Sequence, residues 1–337
     1  MKSNIVLIGS GGVGTIAAYG LELGGKASVT AVVRSDYNVV VNKGYKIDSC
    51  DYGHVESFKP TNVVDSVEKA VEYGPFEYIL VTTKNLPDIF KVEDLVAPLV
   101  SETSTIVLLQ NGVDIGADVI KRYPKNVVLS GVSMISSTNH NGFIHHEGKD
   151  SLKIGYFINE NLSIESQKNA SERFVSIYSN GKNECTYDED VKYTRWRKLV
   201  YNATLNSICT LTGVDVGRLE LFGGVDSMVR SAMREVLAIA KSDGVDLPED
   251  IMDFMIRSDD GIYYSPSMLV DLRKGNYIES EVICGNAVRT AKRNNVSCPN
   301  LELIYNLLCV IQMKTKEAKG LVTVPKERPI PQNGECS

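Results

Sequence analysis

With 337 residues the chain is long enough for two domains, each burying a sizeable core. Hydrophobic residues make up 43% and charged residues 23%, the balance of an ordinary soluble globular protein rather than a disordered or membrane-spanning one. The formal net charge of −6 argues against nucleic acid or an anionic membrane as the main partner, since both select a cationic surface.

The opening MKSNIVLIGSGGVG has too short an apolar run for a signal peptide, and the run ends in glycines. It therefore reads as the first strand of a mature, cytoplasmic protein. Asn4 to Ile8 has the continuous apolar character of a buried parallel strand, and Val13 to Leu23 is rich in small residues and helical. Ser28 to Val33, Tyr78 to Thr83, Thr105 to Leu109 and Asn126 to Ser130 read as later strands. Helical stretches around Ser66 to Tyr73 and Val92 to Leu99 lie between them. Alternation of this kind specifies an α/β fold, a doubly wound parallel sheet with helices on both faces.

Residues 131–185 look strand-like and irregular, and HHEGKDSLKIG at 145–155 reads as a hairpin. After residue 187 the period turns helical: Trp196 to Thr210, Asp226 to Ser242, Ser267 to Asp271, Ile278 to Asn294 and Asn300 to Lys316. The expected organisation is a Rossmann-type domain with extra strands over 1–187, an all-α domain over 188–320, and a loosely ordered tail over 321–337. Seven cysteines, an odd number with no CxxC pair, fit free and mostly buried thiols in a reducing compartment. The four histidines form no metal-ligand spacing with them, and His145 and His146 are adjacent but isolated; no metal is expected.

Gly9, Ser10, Gly11, Gly12, Val13 and Gly14 contain G-x-G-x-x-G between a buried strand and a helix, the context that makes the pattern mechanistic. Gly9 permits the tight turn, Gly11 lets backbone approach a pyrophosphate, and Gly14 lets helix and strand pack closely. The helix start then offers N–H groups and a positive dipole end to phosphate. The competing reading is a glycine-rich turn without a ligand. Twenty residues beyond Gly14, at the end of the second strand, stands Arg34, where an acidic residue would read the ribose of NAD. A guanidinium suits the 2′-phosphate of NADP(H); a solvated surface Arg34, or Asp36 as a rival ribose ligand, remains open.

In the helical half, Lys198, Asn202 and Asn206 fall at i, i+4 and i+8, on one helix face. Asparagine is a poor helix-interior residue, so two of them aligned with a lysine suggest a task beyond solubility. A plain solvent-facing stripe is the alternative.

At these residues the chain resembles the ketopantoate reductase family. The likeness runs from Ile5 to about Leu308, through GSGGVG at 9–14, Arg34, VTTK ending at Lys84, LLQNGV at 108–113, WRKLVYNATLN at 196–206, SPSMLVD at 265–271 and IESEVICG at 278–285. The resemblance implies that Lys198 donates a proton to a keto oxygen and that Asn111 lies beside nicotinamide and substrate. It implies substrate contacts for Asn202, Asn206 and Ser267, with Ser267 on the carboxylate. Glu279 would contact substrate and help position the lysine. Arg34 and Lys84 would contact the cofactor, at the 2′-phosphate and near the adenine side. The chain departs from the family at Cys284, where asparagine is frequent, in the 133–155 segment, and in its longer tail.

The expectation is therefore NADPH-dependent reduction of a 2-keto acid, ketopantoate first, in the cleft between two domains, with a homodimer as the assembly to test for. The rivals are a D-2-hydroxyacid dehydrogenase of the same fold acting on a bulkier or aromatic keto acid, and a non-catalytic NADP sensor. A sensor would keep the glycine loop but have no need of Lys198, Asn202, Ser267 and Glu279 together.

Overall fold

The structure is a computed structural model and describes residues 2–328. It opens with β1 (Ser3–Ile8), α1 (Gly12–Leu23), β2 (Ala27–Val32), α2 (Tyr37–Lys43), β3 (Tyr45–Ser49), β4 (Gly53–Phe58) and β5 (Asn62–Val64). Then come α3 (Val67–Ala70), β6 (Tyr78–Val81), α4 (Val92–Leu95), β7 (Thr105–Leu108), α5 (Ala117–Arg122), β8 (Val128–Ser133), β9 (Ser136–His140), β10 (Phe143–Gly148), β11 (Ser151–Tyr156), α6 (Ile164–Tyr178) and β12 (Glu184–Tyr187). From there the chain is helical: α7 (Val191–Tyr201), α8 (Ser207–Thr212), α9 (Val216–Leu221), α10 (Arg230–Ser242), α11 (Ile251–Arg257), α12 (Ser267–Arg273), α13 (Asn286–Arg293) and α14 (Pro299–Ala318). Among the described residues no helix is long and apolar enough to cross a membrane. Most of the expected loose tail, 329–337, lies outside the described residues; 321–328 carry no helix or strand.

The main sheet runs β12-β11-β8-β7-β6-β1-β2-β5. From β5 to β8 every pair is parallel, in the doubly wound Rossmann order, and β11 joins antiparallel. Alternation along β1 explains the layers. Ile5 and Leu7 face α1 and α6 beside Ile16, Leu21 and Phe174. Val6 and Ile8 face the other way, into a core that continues without a break through Trp196, Val200 and the helical domain. Apolar packing is thus shared between the Rossmann sheet and the helical half.

Two readings of the 131–185 segment are corrected. The stretch 145–155 is not a hairpin: β10 pairs with β9 and β3 in a separate four-stranded sheet, while β11 pairs with β8 and β12 in the main one. The hairpin is β9–β10, turned by Asn141-Gly142, both at positive φ (53° and 87°), the Asn-Gly signature of a two-residue type I′ turn. The irregular stretch also contains α6, fifteen residues long and capped by the Ser163 hydroxyl accepting from the Ser166 N–H. It is the crossover that places β12 parallel to β11.

Candidate active site

The glycine loop is shaped by close approach. Gly9 has φ 110°, and a Cβ on Gly14 would lie 1.8 Å from the Gly9 carbonyl oxygen, so neither position admits a side chain without opening the turn. Gly11 differs: nothing lies within 4 Å of where its Cβ would stand. That open space sits over the start of the twelve-residue α1, whose N-cap, Gly11, offers no side-chain cap to the first-turn N–H groups. A helix start without a side-chain cap, beside the open space at Gly11, fits a dinucleotide pyrophosphate.

At the end of β2, Arg34 is exposed. Asp36 is 8% exposed and turned inward; its Oδ2 accepts from Asn139 Nδ2 at 2.7 Å, and the same amide donates to the Ser10 carbonyl at 3.0 Å. Asn139 on β9 therefore holds the rival carboxylate against the loop, while the guanidinium faces solvent.

On the other side of β1, the loops after β6 and β7 meet the helical domain. Lys198, in the last turn of α7, is half-buried with its ammonium inward, donating to the Ser133 carbonyl at 2.5 Å and to Asn111 Oδ1 at 3.1 Å. Asn111 Nδ2 donates to Glu279 Oε2 at 3.2 Å, and Glu279 Oε1 accepts the Asn85 N–H at 3.0 Å. Glu279 is 4% exposed, so these bonds largely replace its water. It reaches Lys198 through the Asn111 amide.

Enclosure of the ammonium pulls Lys198 down to about 8 from its usual value; the nearby Arg195 charge lowers it further, Glu279 opposes, and Lys84 adds a smaller lowering. Lys84 behaves in the opposite sense. Its burial would lower it too, but Glu279 and Asp271 outweigh that and hold it above the normal range. Its ammonium lies 2.6 Å from Asp271 and 3.5 Å from Glu279. This placement departs from the expected adenine-side contact. Lys84 follows β6, which flanks β1 on the side away from β2 and Arg34, and it turns toward the helical domain.

The stripe Lys198-Asn202-Asn206 is also broken up. Asn202–Asn206 form a π-helical turn, which disrupts the i, i+4 register. Asn111, Ser133, Lys198 and Asn202 line one small cavity. Asn206, fully buried, instead accepts the Met268 N–H at 3.1 Å and donates to Ser267 Oγ at 3.5 Å. It fixes the start of α12 and thereby the exposed Ser267.

Sequence reasoning missed Arg195, one turn before Lys198 on α7. It is 6% exposed, and among the described residues no carboxylate bonds it. Its guanidinium donates to the carbonyls of Leu108, Gln110, Gly112 and Gly131 and to Ser130 Oγ, and it stacks over Phe157 at 4.9 Å. Burial lowers Arg195 to about 9. It gathers the C-terminal ends of β7 and β8, which carry Asn111 and Ser133, onto the helix that carries Lys198. An arginine beside Trp196 in a helical run gives no sign that it is buried. Asp271 was visible only as the last residue of SPSMLVD.

Comparison with known proteins finds one family over most of the chain. The family model for ketopantoate reductase PanE/ApbA matches residues 5–159, and that for the ketopantoate reductase PanE/ApbA C-terminal part matches residues 190–312. An uncharacterised protein of Saccharomyces cerevisiae is 39% identical over 346 residues, covering 95% of this chain and 96% of its own length. The crystal structure of 2-dehydropantoate 2-reductase from Methylococcus capsulatus superposes with a TM-score of 0.76 at 33% identity, over 93% of this chain and 97% of that one. The ternary structure of D-mandelate dehydrogenase with NADH and anilino(oxo)acetate shares the fold, with a TM-score of 0.79 at 19% identity, over 93% and 99% of the two chains.

Replacing Arg195 by methionine keeps much of the stem but removes the donor from four carbonyls, three of them at buried bonds. Each unsatisfied buried group costs about 1–3 kcal/mol, so Arg195→Met should lose roughly 3 kcal/mol or more of stability in urea unfolding. A loss below about 1 kcal/mol would mean that the clamp does not hold the strand ends.

Proposed function

Because the chain belongs to the ketopantoate reductase family, a family of oxidoreductases, we propose that it reduces a 2-keto acid to the 2-hydroxy acid with NADPH, ketopantoate being the leading substrate. The observation that carries this reading is the enclosed Lys198 ammonium with its value lowered to about 8, held against Asn111 between the glycine-loop domain and the helical domain. A proton donor works best when its value lies near the working pH.

A nicotinamide bound there would supply the hydride. The protein's own part begins with Lys198, whose ammonium has three N–H donors. Two are held by the Ser133 carbonyl and Asn111 Oδ1, which leaves one for the substrate's keto oxygen. As the carbonyl carbon accepts the hydride, that N–H bond breaks and the proton passes to the oxygen; the neutral amine then regains a proton from solvent. Asn111 holds the donor in place, and its amide orientation is fixed by Glu279 on its far side. Asn202 offers an amide in the same cavity. Ser267, presented by Asn206, offers a hydroxyl to the substrate carboxylate. Amides and hydroxyls orient an anionic substrate without adding charge that would retune Lys198. The glycine loop holds the pyrophosphate.

The test is NADPH oxidation over a panel of 2-keto acids. Ketopantoate should give the highest kcat/KM; a clear preference for an aromatic keto acid would favour the D-2-hydroxyacid dehydrogenase reading, and no turnover with any would favour an NADP sensor. General acid catalysis contributes about 10²–10⁴-fold, so Lys198→Ala should lose that much in kcat while NADPH binding is retained. A loss under tenfold would remove Lys198 from the role.

Cofactor choice follows from Arg34. Bonds from a guanidinium to a 2′-phosphate are charge-assisted and contribute roughly 1.5–3 kcal/mol, or about 10–150-fold in affinity. Wild type should prefer NADPH over NADH by at least about tenfold, and Arg34→Ala should erase most of that while sparing NADH. An enzyme that prefers NADH would assign ribose reading to Asp36 instead.

A further inference from the structure

At the far end of α1, about 18 Å of helix from the glycine loop, a second group of polar side chains collects where the β3–β4 turn, β10 and the loop after α6 meet. His146 on β10 lies opposite Ser49 of β3 in parallel register. Its ring is 2% exposed, and Nδ1 is hydrogen-bonded to Ser49 Oγ at 2.8 Å. The other nitrogen, Nε2, is enclosed and has no hydrogen-bond partner among the described residues. A buried imidazole nitrogen without a partner is costly and rare. Beside it the turn presents Cys50 and Asp51, and a ring nitrogen of His146, Cys50 Sγ and an Asp51 carboxylate oxygen all lie within 4.8 Å of one another.

We propose that Cys50, Asp51 and His146 form a binding site for one borderline-soft divalent cation, with zinc the best match. Sulfur, imidazole and carboxylate together are zinc's ligand set, and three protein ligands with an open fourth position form a recognised arrangement. Cys50 is exposed, so the fourth position is water. Bond lengths of roughly 2.0–2.3 Å require the turn to draw inward onto the buried ring. The outer partners are in place. Nε2 is the His146 nitrogen without a partner, and Asp51 Oδ2 accepts the Asp150 N–H at 2.7 Å, leaving its other oxygen. Binding forms a sulfur–metal bond, breaks the Cys50 S–H bond and sends that proton to solvent; no electron is transferred. Burial and the Asp51 charge push the free thiol up, and a dication would reverse that.

The site would tie the four-stranded sheet to the Rossmann layer. Tyr52, next to the ligands, donates to Asp150 at 2.7 Å, and Asn180 donates to the Gly20 carbonyl of α1 at 3.0 Å and to Tyr52 Oη at 3.3 Å. Histidine and cysteine stand 96 positions apart, so no spacing rule could have paired them.

The test uses the full chain, dialysed against a chelator and titrated with cobalt(II), then with zinc. The expected result is one cobalt per chain with a thiolate-to-cobalt charge-transfer band, displaced by zinc, and a thermal midpoint raised by zinc. Cys50→Ala, at an exposed position, should abolish the band and the thermal shift with kcat for NADPH oxidation unchanged. His146→Gln should weaken binding at least about tenfold; if it fails to fold, Asp51→Asn carries the same expectation. Absence of the band in wild type, or its persistence in Cys50→Ala, overturns the proposal.

Discussion

Enclosing one ammonium group without giving it a direct carboxylate partner is the constraint around which this molecule is arranged. Lys198 meets a backbone carbonyl and an amide oxygen, both neutral, so little offsets the loss of water around its charge. Burial therefore lowers it, and the positive Arg195 one turn away reinforces the effect. Glu279 pulls the other way by its charge, from beyond the Asn111 amide rather than by contact. A carboxylate in direct contact would raise Lys198, as Glu279 and Asp271 raise Lys84 above the usual range.

The same constraint couples the two domains. Asn111 stands on the loop after β7, Lys198 on α7 and Glu279 before α13, so the cluster exists only when sheet and helices are docked. Several bonds hold that docking. Arg195 gathers the strand ends, Asn286 donates to the Val113 carbonyl at 2.7 Å, and Lys316 reaches Asp88 at 2.9 Å beside Gln312. The shared apolar core beneath them is continuous. Mispositioning by even an ångström, from a change far from Lys198, would be felt at the donor.

Much of the architecture was legible in the sequence because its signals are local. Buried parallel strands read as continuous apolar runs, the glycine loop carries its own context, and the helical half shows its period. The hairpin error arose where sequence neighbours part company: Gly148 ends β10 in one sheet and Ser151, three residues on, begins β11 in the other. The Asn141-Gly142 turn and the Ser163 cap were local signals for β9–β10 and α6, and both were passed over. At the site, Lys198, Asn111, Asn202 and Glu279 do come together. The π-helical turn at Asn202–Asn206, which diverts Asn206 to α12, leaves no trace in residue type. Arg195 and the Lys84–Asp271 pair depend on long-range burial and were invisible for the same reason.

The central claim is that the lysine lowered by burial is the proton donor and that the Glu279 charge partly offsets that lowering. It is tested most directly by the pH dependence of kcat/KM for keto-acid reduction in wild type and in Glu279→Gln. A donor is competent while protonated, so the wild-type rate should hold below about pH 8 and fall above it, near the value of about 8 for Lys198. Removing the Glu279 charge takes away a raising influence, so in Glu279→Gln the falling limb should move to lower pH. A profile flat across that region, or a limb that moves upward in the variant, would contradict the account.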